Sequence, residues 1–282
     1  MIKIVLIILG VIIALIASAL TTGNITFNKK VKNEVGDLFN KSKETIPEFV
    51  TETDMEGLPE PVQKWLKNSQ IKGKEKIFAV RLKQKGLIRT KEGQPWMPAE
   101  AEQYLTVDEP GFIWKVKVIM NPLLYLVGRD KYYEGKGNIL IKLLSLITVV
   151  NASGKEIDQG TMLRYLGEIA WFPTAALNDY IKWKSIDSNS ARATMSYGGA
   201  TASAVFNFNE NGDVISFVCK RYMTENDRYS LENYSVYLKD YKELNGIRIP
   251  TKGEAVWNLK TGDFSVYKFE ITEIEYNKPL VY

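Results

Sequence analysis

Apolar side chains recur at every second residue through much of the C-terminal half of this chain, and only short turn-forming pairs break the alternation. Ala191, Ala193, Met195 and Tyr197 alternate with polar neighbours up to Gly198-Gly199, and Ala204, Phe206 and Phe208 carry the pattern to Asn211-Gly212. Successive side chains of a strand point to opposite faces, so a period of two predicts strands buried on one side. Asn-Gly is the strongest short hairpin signal, because its two residues tolerate positive φ. Further strands are expected over 214–223, 229–241, 251–260 and 264–276, with Asn245-Gly246 and Thr261-Gly262 turning the chain between them. Long strands joined by tight turns read as an up-and-down meander curling into a barrel or half-barrel.

The middle of the chain adds strands and a few helices. Phe112, Trp114, Val116 and Val118 share one face, and Asp108-Glu109-Pro110-Gly111 joins them to a strand over 103–107. A strand is also read over 78–83. After Leu58-Pro59-Glu60-Pro61, the residues Val62, Trp65, Leu66 and Ser69 recur at spacings of three and four, which predicts a short helix docked by one face. A second helix carries Met162, Leu163, Leu166, Ile169 and Ala170 on its apolar side. Asp158 is expected to cap it, Trp171-Phe172-Pro173 to end it, and another short helix to follow over 174–180. Gly135-Lys136-Gly137 reads as a hairpin turn, and Arg129-Asp130 after Gly128 as a turn holding a local ion pair. Residues 123–127 and 139–150 are nearly continuous apolar runs. They suit a central strand buried on both faces, or else an apolar lip around a cavity or a patch against a membrane. The fold class expected is mainly β with a few helices (α+β), a curved antiparallel sheet or half-barrel packed on helices.

Ahead of this domain, residues 2–20 hold one charge, Lys3, in an otherwise apolar run. A helix of this length at about 1.5 Å per residue just crosses a hydrocarbon core of roughly 30 Å. Ala17-Ser18-Ala19 also fits a signal-peptide cleavage site, but an uncleaved transmembrane anchor is the reading adopted. Residues 21–56 read as a polar tether with some helix around 32–42, and 57–282 as one half-barrel domain. Lys29, Lys30 and Lys32 follow the span and blur the positive-inside count, whereas the signal-like leader favours an extracytoplasmic domain.

Two shortages narrow the chemistry. The chain has no histidine and a single cysteine, Cys219, in a predicted strand. Ser-His-Asp and Cys-His nucleophilic sites, histidine-held zinc or haem, iron–sulfur clusters, CxxC chemistry and intramolecular disulfides are all excluded. No phosphate loop, dinucleotide fingerprint or calcium loop is present, so neither cofactor nor metal is expected. A net charge of +4 over 282 residues is far from the basic stripe that nucleic acid requires. The oligomeric state is open at this stage.

The strings Leu58-Pro59-Glu60-Pro61-Val62, Gln94-Pro95-Trp96-Met97-Pro98 and Gly128-Arg129-Asp130 resemble an uncharacterised prokaryotic family of membrane-anchored proteins, a domain of unknown function. Glu156-Ile157-Asp158-Gln159-Gly160 with Leu163-Arg164-Tyr165-Leu166 and Trp171-Phe172-Pro173-Thr174 match its central motif, and Arg248-Ile249-Pro250-Thr251 with Gly253-Glu254 its last. The resemblance runs over 58–276. It implies an architecture like that of the periplasmic lipoprotein carriers, a curved sheet around helices with an apolar hollow, and it carries no catalytic residues with it.

Two sets of side chains stand out. Trp96, Trp114, Tyr132, Tyr165, Trp171 and Phe172 gather in or beside the motifs, and aromatics dominate both cores and apolar ligand pockets. Asp130, Asp158, Arg164 and Glu168 could carry acid–base chemistry if they converge on a cleft. The leading expectation is a membrane-tethered, non-enzymatic domain that holds a lipid, acyl chain or apolar peptide in a cavity lined by those aromatics and by 123–127 and 139–150. A carboxylate-based hydrolase or lyase and an envelope scaffold are the alternatives.

Overall fold

A computed structural model of the chain describes residues 1–41, 46–225 and 228–282. The first helix, α1 (Ile2–Lys41), is followed by α2 (Glu60–Asn68) and by six strands: β1 (Ala79–Ile88), β2 (Met97–Thr106), β3 (Gly111–Asn121), β4 (Leu124–Tyr133), β5 (Lys136–Leu143) and β6 (Ile147–Ser153). Then come α3 (Lys155–Glu168) and two short 3-10 segments, Ile169–Trp171 and Pro173–Leu177. The chain ends with β7 (Ile181–Asp187), β8 (Ser190–Tyr197), β9 (Ala200–Phe208), β10 (Val214–Glu225), β11 (Arg228–Leu244), β12 (Ile247–Leu259) and β13 (Gly262–Tyr276).

All thirteen strands form one antiparallel half-barrel sheet in the order β6-β5-β4-β3-β2-β1-β13-β12-β11-β10-β9-β8-β7. Two meanders of sequence neighbours, β1–β6 and β7–β13, are thus joined along a single seam between β1 and β13. Ile88 faces Tyr267 across it and Val80 faces Tyr276, with a bulge at Lys83/Gln84. Gly86 is required there: a Cβ would lie 2.5 Å from the Lys268 carbonyl oxygen and 2.6 Å from the Tyr267 ring.

The sheet curls around α3, which packs on β4 and β5 from one meander and on β9 and β10 from the other. The approach is close because Gly137 faces the helix, where a Cβ would meet Thr161 Oγ1 at 2.4 Å. On the same concave side α2 buries Val62, Trp65 and Leu66, as the helical spacing requires, and Trp65 packs on Phe206 and Trp183. Tyr165 and Tyr180 donate hydrogen bonds to the carbonyls of Thr106 and Val107, satisfying two buried hydroxyls.

The strands expected in the C-terminal half are all present, but other expectations are corrected. Residues 21–41 are no tether: α1 runs unbroken through them, and Phe27, Val31, Val35, Leu38 and Phe39 pack on Ala79, Tyr104, Ile113, Val127 and Leu140 of the convex face. The helix expected over 32–42 is part of α1, Ser42 lying outside the described residues. Gly128-Arg129-Asp130 lies within β4, its two charges pointing to opposite faces, where each finds a tertiary partner. Asp158 is already one turn inside α3 and caps nothing; its carboxylate accepts from the Gly137 N–H at 2.7 Å and from Lys136 Nζ at 3.0 Å, stitching α3 to β5. Residues 139–150 form no central strand, since they cover parts of β5, a turn and β6, which is the edge strand. The segment after Phe172 is a single 3-10 turn over Pro173–Leu177.

Cys219 lies buried on β10, as a small apolar residue would, and burial pushes its thiol up to about 12. At pH 8 such a thiol is about one part in 10⁴ ionised, so native alkylation by iodoacetamide should run about 10³-fold slower than for a free cysteine. Mass spectrometry before and after guanidinium unfolding checks this; rapid labelling of the native chain would mean that β10 opens.

Candidate functional site

A line of inward side chains crosses five neighbouring strands: Ile88, Tyr267, Ala255, Val236 and Phe217, each opposite the next in register. These residues form one wall of a cavity of about 300 Å³. The facing wall is a stripe of α3 and its continuation, where Arg164, Gly167 and Trp171 recur at helical spacing. Gly167 keeps that wall thin, since a Cβ there would already press on the Phe217 ring at 3.2 Å. The cavity reaches the end of β1 at Ile88, Arg89 and Thr90, and Thr90 is exposed.

Its floor holds a charge cluster in which Glu168 is buried and Asp130 and Arg164 are half-buried. Arg164 Nη1 lies 2.8 Å from Asp130 Oδ2 and its Nε 2.7 Å from Glu168 Oε1, while Gln103 donates to Glu168 Oε2 at 2.6 Å. The guanidinium stacks 4.5 Å from the Trp114 ring centre and 4.9 Å from that of Phe112. Burial is the strongest influence on both carboxyl groups and raises them above the usual range, with Arg164 pulling against it. Burial alone would lower Arg164, but Glu168 and Asp130 hold it charged and raised. Above the cluster, the Trp114 indole donates to Gln84 Oε1 at 2.9 Å.

Two further cations line the cavity without a carboxylate within 4 Å among the described residues. Arg221 lies over the Tyr234 ring at 4.9 Å, and Arg89 donates to the Ser265 carbonyl at 2.7 Å while stacking on Trp96. Among the described residues no group of three acidic, histidine or cysteine side chains could hold a metal ion.

The expected site residues therefore divide. Trp114 and Trp171 line the cavity, as do Asp130, Arg164 and Glu168. Tyr132, Tyr165 and Phe172 are fully buried core residues outside its lining, and Trp96 is clamped outside it between Arg89 and Lys268. Asp158 stands apart at the start of α3. Residues 123–127 and 139–150 contribute nothing to the walls. Sequence reasoning passed over Gln84, Arg89 and Arg221. Arg221 had a visible signal, for it follows Phe217 and Cys219 on the inward face of its strand.

No curated protein matches the chain. Among solved structures it is similar to a LolA-superfamily protein from Nitrosomonas europaea, 10% identical, over 76% of this chain and 92% of that one, with a TM-score of 0.39. It is also similar to a β-barrel-like protein of DUF1849 from Brucella abortus, 9% identical, over 72% and 99% of the two chains, with a TM-score of 0.28. Residues 48–269 match the family model described as a family of unknown function (DUF6544).

Proposed function

This chain belongs to DUF6544, a family of unknown function, and we propose that it is a membrane-tethered binding domain that holds a hydrophobic ligand in its half-barrel cavity, without covalent chemistry. The observation that carries this reading is the cavity itself, about 300 Å³ of mainly apolar lining between α3 and the concave face. An engineered void of about 150 Å³ already admits a benzene-sized solute, so this one accommodates a stretch of acyl chain or an apolar side-chain cluster. Burial would drive binding at about 25 cal/mol per Å² of apolar surface removed from water. Arg89 and Arg221 favour a ligand with an acidic end, such as a lipid, over a purely apolar one. The tether is the apolar first part of α1, a window of mean hydropathy 3.0 with none of it buried. As a tether it would keep the cavity beside its source of lipid, and the signal-like leader supports an extracytoplasmic side.

A hydrolase or lyase is the second reading, favoured by Asp130 and Glu168 meeting at the cavity floor with raised carboxyl groups. Both acids are engaged by one guanidinium, and Asp158 is not with them.

The test is photocrosslinking of the full chain in membranes with a diazirine-bearing fatty acid. Crosslinks are expected in peptides holding Trp171, Phe217 and Val236, and Ala255→Phe, which fills the cavity, should remove them. Crosslinks confined to residues 2–20 would sink the binding reading.

A further inference from the structure

Among the described residues of the folded body, exposed apolar side chains gather in two adjacent hairpins. Ile119, Met120, Leu123 and Leu124 flank the β3–β4 turn, and Leu146, Ile147, Val149 and Val150 flank the β5–β6 turn; Leu123 is 84% exposed, Ile147 61% and Val149 51%. Among the described residues, none of the eight belongs to either core cluster or lines the cavity. The β5–β6 turn is also built against local preference. Leu144 and Ser145 both adopt positive φ, at 53° and 62°, where Asn or Gly would be unstrained.

A close approach of α1 places the surface. Gly23 of α1 approaches the turn so closely that a Cβ would lie 2.5 Å from Leu146 Cδ2 and 3.1 Å from the Ser145 carbonyl oxygen. Gly23 is three residues beyond the apolar span, or about 4.5 Å along a helix axis. Because α1 is one unbroken helix, the plane at which its apolar half ends is the plane in which the two hairpins stand. The β1–β2 connection belongs to the same end of the sheet, since Ile88 pairs with Met97 as Ala99 pairs with Val118 and Val118 with Leu126. The cavity rim at Arg89 and Thr90 therefore faces the same plane.

We infer that the β3–β4 and β5–β6 hairpins form a lip that dips into the bilayer entered by residues 2–20, bringing the cavity rim against the lipid surface. This rests on reading residues 2–20 as a membrane anchor. The occupant is the lipid interface, because the apolar half of α1, none of it buried, leaves the body at that point. Side chains of this kind seat about 5–10 Å into the headgroup and acyl boundary. They also set the tilt of the body, which a single helix would leave free to rock.

The test uses the full chain in phosphatidylcholine–phosphatidylglycerol vesicles, in a Cys219→Ala background. Single substitutions Leu9→Cys, Leu123→Cys, Ile147→Cys and Glu109→Cys each receive a polarity-sensitive fluorophore; Glu109 is exposed at the opposite end of the sheet. Labels at 9, 123 and 147 should emit to the blue and lose most of their emission to lipids carrying a quencher on the acyl chain. The label at 109 should respond only to aqueous iodide. If position 9 is quenched by lipid while 123 and 147 answer to iodide, the anchor stands and the lip is refuted. If position 9 itself is open to iodide, the anchor reading falls and the lip falls with it. If 123 and 147 are shielded from both quenchers in a chain that crosslinks as a dimer, the surface joins two copies, and the proposal is overturned.

Discussion

Replacing Arg164 with alanine is expected to destabilise the domain by about 3–5 kcal/mol, the range for removing one partner from a buried ion pair. The substitution leaves buried Glu168 and half-buried Asp130 at the cavity floor without the guanidinium that both of them contact. The loss should depend on pH, with a definite sign. Burial already raises both carboxyl groups above their unfolded values, and removal of Arg164 raises them further. A group whose folded pKa is raised gives its full stability below the unfolded value and loses it as pH rises through the folded one. The variant should therefore lie nearest to the wild type near pH 4 and fall progressively behind toward pH 8. Thermal melts of both full chains across that range check it. An equal deficit at every pH would mean that the two acids are not held by Arg164.

Removing residues 1–45 should have a larger effect still. Five side chains of α1, from Phe27 to Phe39, are buried on the convex face, and at about 1.5–3 kcal/mol each their burial is worth on the order of 10 kcal/mol. That is comparable with the whole stability of a typical domain. The deletion also strips Glu34 from Arg129, which is 3% exposed and has Glu34 at 2.9 Å from its Nε. A chain beginning at Thr21 should remain folded and soluble, whereas one beginning at Ile46 should aggregate or melt far earlier. Equal melting temperatures for the two would show that α1 is only an attachment.

This prediction marks where sequence reading stopped. Phe27, Val31, Val35 and Leu38 do recur at helical spacing, but as a stripe one residue wide among Lys29, Lys30, Lys32 and Glu34. So narrow a stripe becomes a docking face only because the sheet offers Tyr104 and Ile113 opposite it. Most C-terminal strands were legible because their signals are local: alternation within the strand and, at four of the turns, a glycine. Gly128-Arg129-Asp130 deceived for the opposite reason. Gly128 is there to clear Val116 across the strand, and the two charges are justified by Glu34 and Arg164, each far away in sequence. Of the six aromatics singled out beside the motifs, Trp114 and Trp171 stand in the cavity wall. Yet its wall is a single file across five strands, and no inspection of one strand reveals which residues of the other four will stand level with it.

The seam between β1 and β13 has a consequence for how the chain folds. Every other ladder joins sequence neighbours and can zip up from its own turn, but at the seam Lys83 meets Glu273 across 190 residues. Non-local pairings of this kind bear the entropy of closing a long loop before any contact repays it, so the two meanders are expected to form first and close last. Gln84, Trp114 and Asp130 come from one meander, Val236, Ala255 and Phe269 from the other. The cavity is therefore absent from either half alone, and a nascent chain completes its walls only at the final closure.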